Sequence, residues 1–131
     1  LMPALIPGNV DKTKSAPVTV IVATDTQFYE HMPKVWHGEG AREMFAGNAA
    51  LAQVTATRNG TLGGAYFILA ARAHGLDCGP MGGFNREGVD AEFLSGTTWK
   101  SHFLINIGHG DPAGLYPRAP RLDFAFAARI V

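Results

Sequence analysis

The chain has 131 residues, room for one domain with a real core and too few for two comfortable ones. Hydrophobic residues make up 47% and charged residues 17%, a globular composition that excludes a disordered chain. Eleven basic residues balance eleven acidic ones, which argues against nucleic acid or a membrane surface as partner, since both usually require a basic excess.

The opening LMPALIPGNV reads as the end of a helix broken at Pro7-Gly8, with further residues expected before Leu1. It lacks a basic region followed by an apolar one, so no signal peptide is visible. APVTVIVATD, residues 16–25, is the clearest strand, β-branched and nearly continuous in its apolar character, as for a strand buried on both faces. TDTQFYEHMPKVWHGEG follows and reads as a long loop or a short broken helix, a length often found in lids. From about Asn48 to His74, apolar residues recur at helical spacing, and Gly75 stands where a helix C-cap glycine belongs. Gly60, Gly63 and Gly64 each weaken that helix by about 1 kcal/mol, a cost that points to close packing against another helix or a ligand.

GLDCGPMGGF, residues 75–84, reads locally as a glycine-rich turn between two helices. NREGVDAEFL, residues 85–94, is the second helix, with Asn85 as N-cap despite Gly88. SHFLINIGHGD, residues 101–111, is a second buried strand ending in glycines, and GLYPRAPRLDFAFAARIV closes the chain with two prolines, three arginines and an apolar end. No apolar run reaches the roughly 18 residues of a membrane helix. Strands and helices mix without a repeat or dividing linker, so the class is α/β or α+β.

The chemistry-bearing residues are sparse. The single cysteine, Cys78, precludes an internal disulfide and fits a reducing compartment such as the cytoplasm. It reads as a small buried hydrophobe, because Gly75 ends the helix that would bring His74 near it. The five histidines show no HExxH or paired spacing, so no metal site is expected. His109, in the glycine-flanked strand end, is more simply structural than catalytic. No GxGxxG follows a strand, so a Rossmann dinucleotide site is not indicated.

Taken in order, GLDCGPMGGF after a long helix, a short acidic helix, LINIGHGD and YPRAPRLDF resemble the flavin-dependent nitroreductase family. The nearest subgroup is the malonic semialdehyde reductases (3-hydroxypropionic acid dehydrogenases of pyrimidine degradation). The resemblance covers essentially the whole chain, including APVTVIVATDTQFYE and RNGTLGGAYFILAARAHGLD. It implies an α+β fold with a central mixed sheet flanked by helices. Residues 1–131 would be a single domain, the C-terminal two-thirds of the family's domain. Family members carry an N-terminal segment, with an arginine-rich phosphate-contacting stretch and a serine/asparagine loop beside the flavin, that this sequence does not contain. The resemblance further implies an obligate homodimer with FMN at the subunit interface and hydride transfer from NADH or NADPH through the flavin.

Residue by residue, the resemblance places Pro80, Met81, Gly82 and Gly83 against the flavin ring, with backbone amides toward its N5 edge. Glycine lets a main chain approach closely, and many relatives carry glutamate or serine where Gly82 stands. Arg118 and Arg121 match a C-terminal basic pair that reaches the FMN phosphate, a task suited to the planar arginine fork. Phe28, Tyr29 and Trp36, with Met32, shape a pocket for substrate or nicotinamide, or pack at the dimer interface. No catalytic side chain is implied, because the flavin carries the chemistry. The implied reaction reduces a small aldehyde, malonic semialdehyde to 3-hydroxypropionate, or a nitroaromatic or quinone. A non-catalytic flavin-binding or interaction protein on the same dimer fold is the alternative.

Overall fold

Pro7 opens a helix rather than ending one. The computed structural model describes residues 1–131, and in it helix α1 spans Pro7–Ser15 with Pro7 in its first turn. Proline costs little there, since an amide in the first turn has no intrahelical acceptor. The residues before it form only a 3₁₀ turn, Met2–Ala4, which corrects the expectation of a broken helix.

Strand β1 spans Val18–Asp25. A broken helical passage then follows, as the sequence suggests: a 3₁₀ turn Phe28–His31, α2 Met32–Val35 and α3 Ala41–Ala46. Gly40, at φ 75°, sets the entry to α3 in a conformation that costs glycine nothing. Helix α4, Ala49–Ala73, matches the periodic segment. Asn48 caps it by accepting the Leu51 amide at 3.0 Å, and Gly75 at φ 78° turns the chain out of it. Helix α5 spans Arg86–Phe93 behind Asn85, whose Oδ1 accepts the Gly88 amide at 3.1 Å.

GLDCGPMGGF is not a turn between helices. Its Asp77–Met81 portion is strand β2, paired antiparallel with strand β3, Trp99–Gly108. Turn-forming residues hid it, yet β2 is an edge strand, and an edge tolerates a proline that donates no ladder bond. The sheet order is β1-β3-β2, antiparallel throughout, whereas the resemblance implied a mixed sheet. Central β3 meets the expectation of a buried strand, with Leu104 and Ile105 fully buried. Edge strand β1 does not: most of its residues are half-buried, because one side has no neighbouring strand. A bulge between Val22 and Ala23 leaves His102 of β3 without a partner, and its Nε2 lies 2.9 Å from Thr61 Oγ1 of α4.

Helices segregate on the two faces of the sheet, an α+β arrangement. On one face Leu5, Met81 and Leu104 form a core to which Val10 of α1, Ile21 and Phe84 add, and α5 packs on β3 beside it. On the other lies α4, which presents Ala52, Ala56, Gly60 and Gly64 at four-residue spacing. A methyl on Gly60 would overlap Thr24 Cγ2, and one on Gly64 would overlap the Phe103 ring. These two glycines therefore let α4 settle onto the sheet; Gly63 meets nothing. Residues 109–131, including α6, Phe124–Ala127, are exposed throughout. No helix is long and apolar enough to cross a membrane.

Candidate functional site

Strand β2 ends at Met81, and the chain must then reach α5 across the 3₁₀ turn and α1. It does so through a tight inverse turn: the Phe84 amide donates to Gly82 O at 3.1 Å. Gly83 O accepts from the Ile6 amide at 3.2 Å and from Asn9 Nδ2 at 2.9 Å, and the Asn85 amide donates to Ala4 O at 2.7 Å. A methyl on Gly83 would overlap the Ile6 side chain and sit 2.9 Å from Asn9 Nδ2, so only glycine lies this close to α1. Gly82 is the opposite case, exposed and with nothing within 4 Å of a methyl position. Among the hydrogen bonds outside helices and strands, neither the Gly82 nor the Gly83 amide donates.

The four residues of the PMGG stretch thus have different surroundings. Pro80 borders a groove of about 520 Å³ between the ends of β2 and β3 and the C-terminal end of α1, shared with Lys12, Cys78, Asn106 and His109. Met81 turns inward: it is 8% exposed, and its Sδ accepts from the Thr13 hydroxyl at 3.7 Å. Its side chain belongs to the core, which leaves only its backbone for contacts outside it. Gly82 and Gly83 present backbone alone.

A buried polar chain lies beneath this stretch. Thr19 Oγ1 donates to Asn106 Oδ1 at 2.8 Å, Asn106 Nδ2 donates to Thr13 Oγ1 at 3.1 Å, and Thr13 passes on to Met81. No buried side-chain nitrogen or oxygen lacks a partner. Buried polar groups left unpaired are costly, so this chain fixes α1 against all three strands. Asn9 and Thr13 are the residues that sequence reasoning missed. No local pattern marks them, because their partners lie 74 and 68 residues away.

The aromatic candidates divide. Phe28 stands edge-on to Tyr29 with ring centroids 5.8 Å apart and to Phe45 at 4.9 Å. It borders a cleft of about 300 Å³ between α4 and β1, whose walls include Asp25, Asn59, Gly60 and Gly63. Trp36 instead stacks on His37 at 5.0 Å and is half exposed. Cys78, expected to be buried, is only half-buried because β2 is an edge strand.

Arg118 and Arg121 lie in the exposed tail, and neither belongs to an ion pair. Arg121 Nη1 donates to the Ala119 and Pro120 carbonyls at 2.7 and 3.3 Å, which leaves Nε and Nη2 available. Asp77 fixes the start of the neighbouring loop, pairing with Arg72 and accepting the Gly110 amide at 2.8 Å.

Comparison with known proteins adds a family. No protein-family model matches the chain. It is 58% identical over 130 residues to a Burkholderia lata protein named as an NADH dehydrogenase/NAD(P)H nitroreductase, covering 99% of this chain and 67% of that one. A protein of the same designation from Ralstonia pickettii is 52% identical over 130 residues, 97% of this chain and 66% of that one. The chain spans about two thirds of the length of these relatives. Among solved structures, a nitroreductase family protein of Streptococcus pneumoniae superposes with a TM-score of 0.83 at 19% identity, over 100% of this chain and 72% of the other. CLA-ER, an enone reductase of gut-bacterial fatty acid saturation, gives 0.69 at 19% identity, over 98% and 69%. At that identity the structures speak for the fold, and the sequence relatives speak for kinship: the chain belongs to the NAD(P)H nitroreductase family.

Proposed function

We propose that this chain is part of an FMN-dependent NAD(P)H oxidoreductase whose ring-binding edge is the exit of β2. The observation that carries the reading is the pair of amides of Gly82 and Gly83, which donate to no acceptor in the surrounding loops, next to a Gly82 with open space at its Cβ position. A flat ring bearing acceptors fits such a place, because fixed backbone donors meet it without side chains in the way. FMN, when bound, supplies hydride relay between a nicotinamide donor and the final acceptor.

The chain's own residues position and polarise. Gly82 and Gly83 would hold the ring edge with backbone donors whose charge does not titrate, Pro80 would border it, and Arg118 and Arg121 would meet the phosphate. Phe28 and Tyr29 would shape the cleft beside α4, and Trp36 would add an exposed face. The acceptor we propose is a small aldehyde, malonic semialdehyde going to 3-hydroxypropionate, or a nitroaromatic or quinone; the relatives' names support the nitroaromatic end of that range. We further propose a homodimer in the cytoplasm, serving pyrimidine degradation. In support of a second copy, the outward face of α4 carries exposed Val54, Leu62, Tyr66 and Leu69.

The test is direct. Full-length protein is purified, examined for flavin absorbance after FMN loading, and mixed with NADH and with NADPH without oxygen. Bleaching followed by recovery on adding malonic semialdehyde or a nitroaromatic supports the reading. Protein that takes up no FMN overturns it.

A further inference from the structure

We infer that Asn9 and the Ile6 amide, both on the segment that opens α1, are positioning groups that aim the Gly83 amide. The inference rests on the flavin-edge reading above and goes beyond it by naming what holds that amide in place.

Asn9 is 6% exposed, an unusual burial for asparagine, and its Nδ2 donates to the Gly83 carbonyl. The Ile6 amide donates to the same oxygen. Both lone pairs of Gly83 O are therefore engaged from one side, and the plane of the peptide joining Gly83 to Phe84 is fixed. The Phe84 amide lies in that same peptide and donates to Gly82 O, which carries the hold back to the peptide joining Gly82 to Gly83. A trans peptide holds its N–H opposite its C=O. With Gly82 O turned toward the Phe84 amide, the Gly83 N–H points away from the inside of the turn. A glycine could relax into many other conformations; here Asn9 and the Ile6 amide hold Gly83 in one. Preorganised donors cost no reorganisation when a ligand arrives.

An N–H aimed at the flavin N5 favours the oxidised ring, whose N5 is a bare acceptor, over the reduced ring, whose N5 carries hydrogen. Loosening the turn therefore weakens oxidised FMN selectively, whereas general loss of stability weakens both forms alike. Two variants each remove one donor. Asn9→Leu keeps the volume and loses the amide. Ile6→Pro removes the backbone N–H at a residue already at φ −65°, the proline value, and preceded by extended Leu5. Asn48→Ala removes the cap of α4, on the opposite face of the sheet from Gly83, and serves as the control.

Affinities for oxidised and reduced FMN, and the two-electron potential, are measured on the full-length protein. For Asn9→Leu and Ile6→Pro we expect about tenfold weaker binding of oxidised FMN and unchanged binding of reduced FMN. That tenfold difference equals a rise of about 30 mV for a two-electron couple. Asn48→Ala should lower the unfolding temperature and leave the potential where it is. Equal weakening of both forms, or an unmoved potential, overturns the positioning role and leaves the flavin reading standing. Wild-type protein that binds no FMN overturns the reading beneath it. Should Asn9→Leu fail to fold, Ile6→Pro decides alone.

Discussion

Gly64 of α4 lies so close to Phe103 of β3 that a methyl group on the glycine would overlap the far edge of the ring, with Val22 Cγ1 also only 3.2 Å away. One residue earlier, Gly63 meets nothing. The two glycines have the same helix propensity and opposite surroundings, so alanine should separate them. Gly64→Ala forces the ring or the helix to move, an overpacking that costs about 1–3 kcal/mol. Gly63→Ala gains about 0.5–1 kcal/mol from propensity and a less flexible unfolded chain. Urea unfolding of both variants checks this. If they shift in the same direction, α4 is not seated on the sheet as described.

The ends of α4 give a second pair. Asn48→Ala removes the acceptor for the Leu51 amide and should cost about 1 kcal/mol. Gly75→Ala puts a Cβ on a residue at φ 78° and should cost about 1–2 kcal/mol. No side chain in the structure approaches a methyl on Gly75, so its cost is purely conformational. Thermal unfolding reads both, and a neutral Gly75→Ala would place the C-terminal turn elsewhere.

Helices α4 and α5 were legible because their signals are local: a capping asparagine, a periodic apolar set, a glycine just past the end. Strand β3 was legible from its apolar run. Strand β2 was not, since DCGPM is composed of turn formers and becomes a strand only through pairing with residues 104–108. Pro7 misled for a similar reason, because a proline looks alike at the end and at the beginning of a helix until the following turn is seen. The site divides along the same line. A run of glycines is visible in a sequence, but which glycine touches α1 and which stands open depends on Asn9, 74 residues from Gly83.

Asp90 gives a pH-dependent prediction. Its Oδ1 accepts the Ser101 amide at 2.8 Å and its Oδ2 lies 3.7 Å from Lys100 Nζ, which ties α5 to β3. Burial, the largest single influence, raises its pKa; the Ser101 amide and hydroxyl and the Lys100 charge together outweigh it, and the net value is lowered. A carboxylate with a folded pKa below its unfolded value of about 3.9 contributes stability above that value and loses it as pH falls through the folded one. Asp90→Asn keeps an acceptor for the Ser101 amide but not the charge. It should be less stable than wild type by about 1 kcal/mol at pH 7. The gap should close as pH falls through the lowered folded value in unfolding titrations. A gap that persists unchanged into acid would assign the cost to packing rather than to charge.

Arg121 offers the sharpest separation between a phosphate-binding residue and a solvated one. Its Nη1 is occupied by the Ala119 and Pro120 carbonyls, which brace the side chain, and no carboxylate competes for Nε and Nη2. A guanidinium braced in this way can present two parallel donors to a phosphate, and lysine cannot reproduce that fork. Arg121→Ala should therefore weaken FMN by about 1.5–3 kcal/mol, and Arg121→Lys should recover only part of the loss. Riboflavin has the same ring and no phosphate, so its affinity should be equal in wild type and both variants. Arg118→Ala, whose guanidinium has no such brace in the structure, should lose less than Arg121→Ala. Fluorescence quenching titrations with FMN and riboflavin read all of these. An Arg121→Ala variant that weakens riboflavin as much as FMN would have disturbed the tail rather than the phosphate contact, and one that binds both as wild type does would put Arg121 in solvent.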